Sequence, residues 1–292
     1  RAYLEEKSLS EMAWVADLLQ EVNRKLVLDG VDWHLHIGHS YFMLDALDQA
    51  HVELIWEHSI LPTLEEYSER FKNFFKFKRS EDGILEVRMH TLDSHVRWSY
   101  QMHHAISELW TAIGHDTQNE ILIFTATGEK WINEVDASSF QDVERSDDDD
   151  QRFNVQIYDT LKVVENFVND IEIPTITAIN GRGIHWEMAM MSDITLCTPD
   201  FILQDDHFLM GHVPGDGMTL ALQKILGIKR GNYMSYLNQG IDAETCLRLG
   251  AVNEIVERDK IVERAWEIAR ILMKTSRSTR RLTHHVAARP WR

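Results

Sequence analysis

The chain has 292 residues, 44% of them hydrophobic and 26% charged, with a formal net charge of −17. That is enough apolar material for a large core, in one domain or a domain with an appendage. The negative field repels phosphate, which sets aside nucleic acid and anionic membrane surfaces as partners.

The cysteines, Cys197 and Cys246, sit inside apolar stretches and imply no disulfide framework, so a reducing cytoplasm is the expected location. The opening stretch RAYLEEKSLSEM is acidic and has no apolar signal core. It starts on Arg1, as a trimmed chain or a fragment would. No apolar run reaches membrane-spanning length.

In chain order, helical spacing covers 9–28 and 41–58, Pro62 interrupts it, and a third helical piece covers 63–75. ILEVRMHT (84–91) places Leu85, Val87 and Met89 on one face, as a half-buried strand would. A helix over 98–113 carries Trp98, Met102, Ala105, Ile106, Leu109 and Ile113 on one stripe. ILIFTA (121–126) reads as a strand covered on both faces. The rhythm repeats with a helix over 152–169, the strand TITAI after Pro174, a short helix over 186–192 and the strand ITLC. Helices follow at 218–226 and 229–238, and another starts at Asp242 as N-cap and stops at Gly250. Strand VNEIV and helix 261–274 finish the ordered part. Such alternation argues for α/β layers with right-handed crossovers. The pattern changes near 60–66, which predicts a helical segment over 1–65 and a core over 66–292. The run Asp147–Asp150 reads as a solvated loop.

The stretch PTITAINGRGIHWEMAMMSDITL (174–196) resembles the central strand, turn and helix of the crotonase (enoyl-CoA hydratase/isomerase) superfamily. GIDAETCLRLGAVNEIV (240–256), TGEKWINEVDASSF (127–140) and VPGDG (213–217) match later and earlier motifs of that family in the right order. The resemblance covers about 66–285 and implies a spiral of ββα repeats with a helical trimerisation region, assembled as trimers or dimers of trimers. RKLVLDGVDWHLHIGHSYFML (24–44) looks like the family's C-terminal tail, so the trimerisation helices are expected from the N-terminal segment, as in a circular permutation or a piece of a tandem array; the other reading is an unrelated helical extension. In that alignment His39 falls on a family histidine and Ser40 on a family catalytic glutamate.

Two departures shape the functional expectation. The family's glycine-rich turn is shortened to GRGIHWE, with His185 where a glycine would stand. Of the two glutamates of acyl-CoA hydratases, one position keeps Glu187 and the other holds His207. The combination His185, His207, Asp216 and Trp98 is similar to the 6-oxocamphor hydrolase or β-diketone hydrolase branch, which cleaves a carbon–carbon bond between two carbonyls without coenzyme A.

That reaction needs a base for water, donors for an oxyanion and an acid for carbon, and no cofactor. His207 and Asp216 suit a water-activating dyad if the Pro214–Gly215 turn folds the segment back. His185 and the Trp98 indole N–H suit the enolate oxygen, and Asn133 the first oxyanion position through its backbone N–H. Phe208, Leu209 and Met210 are expected to shape an apolar pocket for a small hydrophobic diketone. Taken singly, each residue has a plain reading: His207 a structural or surface histidine, Asp216 a turn residue, Trp98 core, Glu187 a first-turn acid. The alternative functions are an acyl-CoA hydratase or isomerase and a non-catalytic scaffold of the same fold. His34, His36, His39, His51 and His58 form no HExxH spacing, and no metal site is expected. The pairs His103–His104 and His284–His285 read as surface residues.

Overall fold

A computed structural model of the chain describes residues 71–144 and 160–292. The chain divides into two units between Lys72 and Asn73, and the second carries everything that follows. The helices expected at 9–28 and 41–58, the boundary near 60–66, the run Asp147–Asp150, and His39 and Ser40 lie outside the described residues.

Six strands form the main sheet: β1 (Phe75–Arg79), β2 (Ile84–Met89), β4 (Ile121–Ala126), β6 (Thr175–Ile179), β7 (Ile194–Cys197) and β10 (Glu254–Ile255), in that spatial order. The edge strand β1 runs antiparallel to β2, and the other neighbours are parallel. Parallel strands joined by helices have both faces covered, which is why ILIFTA and TITAI are buried at every residue. On one face, Ile84, Ile121, Ile123, Ile176 and Leu196 pack against Ile261, Ala265 and Trp266 of the helix Ile261–Met273. On the other, Trp110 of the helix Tyr100–His115 sets its ring edge-on to Phe124, at 5.0 Å, and to Phe167 of the helix Thr160–Asp170, also at 5.0 Å. Gly114 lets those two helices touch: a Cβ there would meet the Asp170 carbonyl oxygen at 2.0 Å.

Four expectations are corrected. The strand at 84–89 is buried on both faces, Glu86 included. It lies between β1 and β4, and its buried acid is satisfied by Trp266 Nε1–H (2.6 Å) and by Arg88 (2.7 Å). Phe75 opens a strand rather than closing a helix. The ordered chain also continues past 274 into the helix Arg277–Ala287, capped by Ser276. Hydrophobic spacing missed it because its buried side chains are Arg280 and His284. Arg280 pairs with Glu120, and His284 bonds Asp193 (2.7 Å) and the Ile171 carbonyl (3.0 Å). So His284 is not a surface residue. No described helix is long and apolar enough to cross a membrane.

Replacing Trp266 with Phe keeps most of the packing but strips the buried Glu86 oxygen of its donor. Chemical denaturation of Trp266→Phe should show a loss of about 1–3 kcal/mol, the cost of an unsatisfied buried polar group.

Candidate active site

Beyond the end of β6 the chain turns through Asn180–Gly181. The Asn180 amide donates to the carbonyls of Ala126 (3.1 Å), Gly128 (2.7 Å) and Lys130 (3.2 Å), clamping the neighbouring loop. The turn ends at His185, whose φ is +57°. That left-handed conformation favours glycine and costs a β-carbon-bearing residue about 1–2 kcal/mol. Its carbonyl accepts from Trp131 Nε1–H at 3.0 Å, which holds the strained residue in place. The helix Glu187–Met191 follows, and Glu187 in its first turn is fully buried.

Trp98 approaches from another segment. It belongs to the short strand β3 (Arg97–Trp98), paired with β5 (Glu134–Val135), and not to the helix expected from 98. Ser99 caps that helix by accepting from Met102 N, so the helix starts at Tyr100. The Trp98 ring stacks on His185 with centroids 4.6 Å apart, and His103 sits edge-on to Trp98 at 5.4 Å.

The third wall leaves β8 (Ile202–Leu203), which pairs with β9 (Ile241–Asp242). His207 is closed into a turn by His212 N–H, which donates to its carbonyl at 2.8 Å. The Val213–Gly215 turn and Gly217, at φ +98°, then bring Asp216 back toward His207.

These segments assemble an alternating row of acids and bases. Asp205 Oδ1 accepts from His207 Nδ1–H at 2.7 Å. Asp216 Oδ2 lies 3.2 Å from His207 Nε2 and 3.2 Å from His185 Nδ1. Glu187 Oε1 lies 3.3 Å from His185 Nδ1. The contacts of His185 Nδ1 with Glu187 Oε1 and Asp216 Oδ2 are ion pairs rather than aligned hydrogen bonds.

The electrostatics follow from this row. Burial opposes charge on His207, but the Asp205 and Asp216 carboxylates outweigh it and push the imidazole up to about 11. Burial likewise opposes charge on His185, and Glu187 and Asp216 overcome it, raising it to about 9. Asp216 is held well below the usual carboxylate range, because the two imidazolium groups more than offset its burial. Glu187 is pushed up, first by burial and then by the Asp216 charge. His103 goes the other way: burial and repulsion from His185 drop it to about 3, so it stays neutral. Three imidazoles thus stand in one site with opposite charge states.

The structure brings His185, His207, Asp216, Glu187 and Trp98 together. It does not give Asn133 the expected role: its backbone N–H donates to the Val96 carbonyl at 2.9 Å, beside the β3–β5 ladder, and is spent. Phe208, Leu209 and Met210 do not wall off a pocket among the described residues. They are 49%, 62% and 66% exposed, because the tight turn after His207 splays them outward, and Phe208 packs on Tyr236.

Sequence reasoning missed Asp205 and His103. Asp205 and Asp206 are adjacent, and nothing local says which turns inward; Asp206 bonds Asn238 instead. His103 read as half of a surface pair, yet it is buried and its Nδ1 has no hydrogen-bond partner among the described residues. Its spacing with Ile106, Ser107 and Trp110, all buried, carried that signal.

The ligand atoms of His185, His207 and Asp216 lie within 4.8 Å of one another, a spacing a divalent ion can bridge. A ligating imidazole must be neutral, however, and here carboxylates keep both protonated near neutral pH. Protons therefore compete strongly for that place.

Comparisons place this geometry among known proteins. Residues 81–290 match the family described as enoyl-CoA hydratase/isomerase. Residues 14–69, outside the described residues, match the McrB alpha-helical lid domain. A peroxisomal protein of Arabidopsis thaliana named as a probable enoyl-CoA hydratase is 25% identical over 70% of this chain and 74% of its own. A short-chain enoyl-CoA hydratase of Clostridium acetobutylicum is 27% identical over 54% of this chain and 59% of its own. Among solved structures, a β-diketone hydrolase from the cyanobacterium Anabaena sp. PCC 7120, bound to (S)-3-oxocyclohexyl acetic acid, is similar at 34% identity and a TM-score of 0.70. The similarity covers 76% of this chain and 87% of that one. An enoyl-CoA hydratase/isomerase from Mycobacterium paratuberculosis shares the fold at 21% identity, with a TM-score of 0.67 and coverage of 74% of this chain and 85% of that one. The chain therefore belongs to the enoyl-CoA hydratase/isomerase family, the crotonase superfamily, and has a β-diketone hydrolase among its relatives.

Proposed function

We propose that this chain is a cofactor-independent hydrolase that cleaves the carbon–carbon bond of a small hydrophobic β-diketone. The observation that supports this most is Asp216 Oδ2 standing 3.2 Å from both His207 Nε2 and His185 Nδ1. By the sequence resemblance, His185 and His207 stand at the two places where acyl-CoA hydratases carry a glycine and a glutamate. The Anabaena relative adds support: the compound bound to it carries a ketone and a carboxylic acid. Hydrolytic cleavage of a 1,3-diketone leaves those two groups.

In this reading, neutral His207 takes a proton from water at Nε2, and hydroxide adds to one carbonyl carbon. The carbon–carbon bond breaks, and its electron pair moves through the neighbouring carbon to the second carbonyl as an enolate. Cationic His185, stacked on Trp98, faces the developing negative oxygen, and neutral His103 adds a second polar group. His207 returns its proton to carbon. Diketone and water give a carboxylic acid and a ketone, with no electron gained or lost overall.

The second reading, an acyl-CoA hydratase or isomerase, draws on the curated relatives and on Glu187, a buried acid with a raised pKa. Against it, His185 fills the glycine position, and the Asn133 N–H that would hold a thioester oxygen is already bonded to Val96.

Incubation with monocyclic and bicyclic 1,3-diketones in ¹⁸O-water should yield a keto acid with one heavy oxygen in its carboxyl group, read by mass spectrometry. Turnover of a crotonyl-type thioester, with every diketone intact, would overturn the proposal. His207→Ala should lower kcat by about 10²–10⁴-fold while the circular dichroism spectrum is unchanged. The pH profile tests the base directly. Since kcat/KM reports groups of the free enzyme, and the active form pairs neutral His207 with cationic His185, it should climb with pH through neutrality, level off near about 9 where His185 begins to lose its proton, and fall above about 11. The carboxylates shift that limb upward from the ordinary histidine value of 6.5, so a profile levelling there would reject His207 as the base.

A further inference from the structure

We propose that Asp205, rather than Asp216, is the positioning carboxylate of the catalytic histidine: it fixes the His207 ring with Nδ1–H bonded and Nε2 facing the reaction. This rests on the hydrolase reading for its kinetic consequences, but the geometry stands on its own. The Asp205 side chain is fully buried. Its Oδ1 accepts from the His207 ring at 2.7 Å and from the His207 backbone N–H at 3.2 Å. One oxygen thus holds main chain and ring together, which fixes the side-chain torsion. Asp205 follows the β8–β9 pair by two residues, so the grip is anchored to a rigid ladder. Asp206 turns away to the Asn238 amide. Asp216 cannot do the same job, because its oxygen is shared between two imidazoles and aligned with neither as a hydrogen bond.

The three carboxylates then divide their work. Asp205 orients His207 and keeps its Nδ1 protonated through the cycle. Asp216 spans both imidazoles, and Glu187 keeps His185 cationic. The proton taken from water enters at Nε2 and leaves from Nε2, while Nδ1–H never moves. The charged and titratable groups that face His207 are Asp205, Asp216 and His185, with His103 beyond them.

Asp205→Asn in the full chain separates this role from a structural one. The amide keeps an oxygen acceptor for the backbone N–H and so preserves the turn, but it removes the charge. Two readouts follow, with Asp205→Ala as the control that loses the turn as well. First, the His207 ring titration is followed by ¹H–¹⁵N NMR without substrate. Its pKa should fall by about one unit or more in Asp205→Asn, with the melting temperature unchanged. Second, on a diketone that the wild-type chain cleaves, kcat should drop at least tenfold while KM stays within about twofold, and the pH limb should move down. An unshifted His207 titration, or unchanged kcat with only Asp205→Ala impaired through loss of fold, overturns the proposal. If no diketone is cleaved by the wild-type chain, the hydrolase reading fails, and the NMR titration still decides whether Asp205 holds His207.

Discussion

Two imidazoles share the Asp216 carboxylate, and the site depends on that sharing. Its oxygen lies 3.2 Å from each ring nitrogen, and it arrives there from a segment far in sequence from His185. Burying a carboxylate is costly unless positive charge compensates. Burying an imidazolium is costly for the same reason. Each group here makes the other tolerable, and the row continues outward to Asp205 on one side and Glu187 on the other. Two cations alternate with three acids, so the site carries charge without an isolated buried ion.

The surrounding fold supplies what such a row requires. The sheet ends deliver two loops to one place, and Asn180 ties them together with three donated hydrogen bonds. The site includes a strained residue: His185 occupies a left-handed conformation that glycine would adopt freely. Its carbonyl bond to Trp131 and the Trp98 ring under its face hold it there. A histidine at this turn adds a cationic side chain that glycine lacks.

The differing environments of the three histidines give the arrangement its direction. Among the described residues His103 makes no ion pair with a carboxylate, and burial keeps it neutral. His185 and His207 each touch two carboxylates and are held cationic. The same residue type is thus made acid, base or neutral donor by its neighbours alone. In the proposed reaction, a base held so firmly in its charged form would be slow to act near neutrality.

Much of the fold was legible in the sequence, because hydrophobic burial writes itself locally. ILIFTA, TITAI, ITLC and the helix bounded by Asp242 and Gly250 can each be read from a few consecutive residues, since period and capping chemistry are properties of the segment itself. His185, His207 and Asp216 were legible as candidates because of their place among motifs. Polar burial was not legible. The choice between Asp205 and Asp206, the depth of His103 and His284, the loss of the Asn133 N–H to Val96, and the outward turn of Phe208 to Met210 all depend on partners from distant segments. An apolar side chain needs only to leave water, and any core will serve. A buried charge needs one particular partner at one particular distance, and only the tertiary structure decides which one it meets.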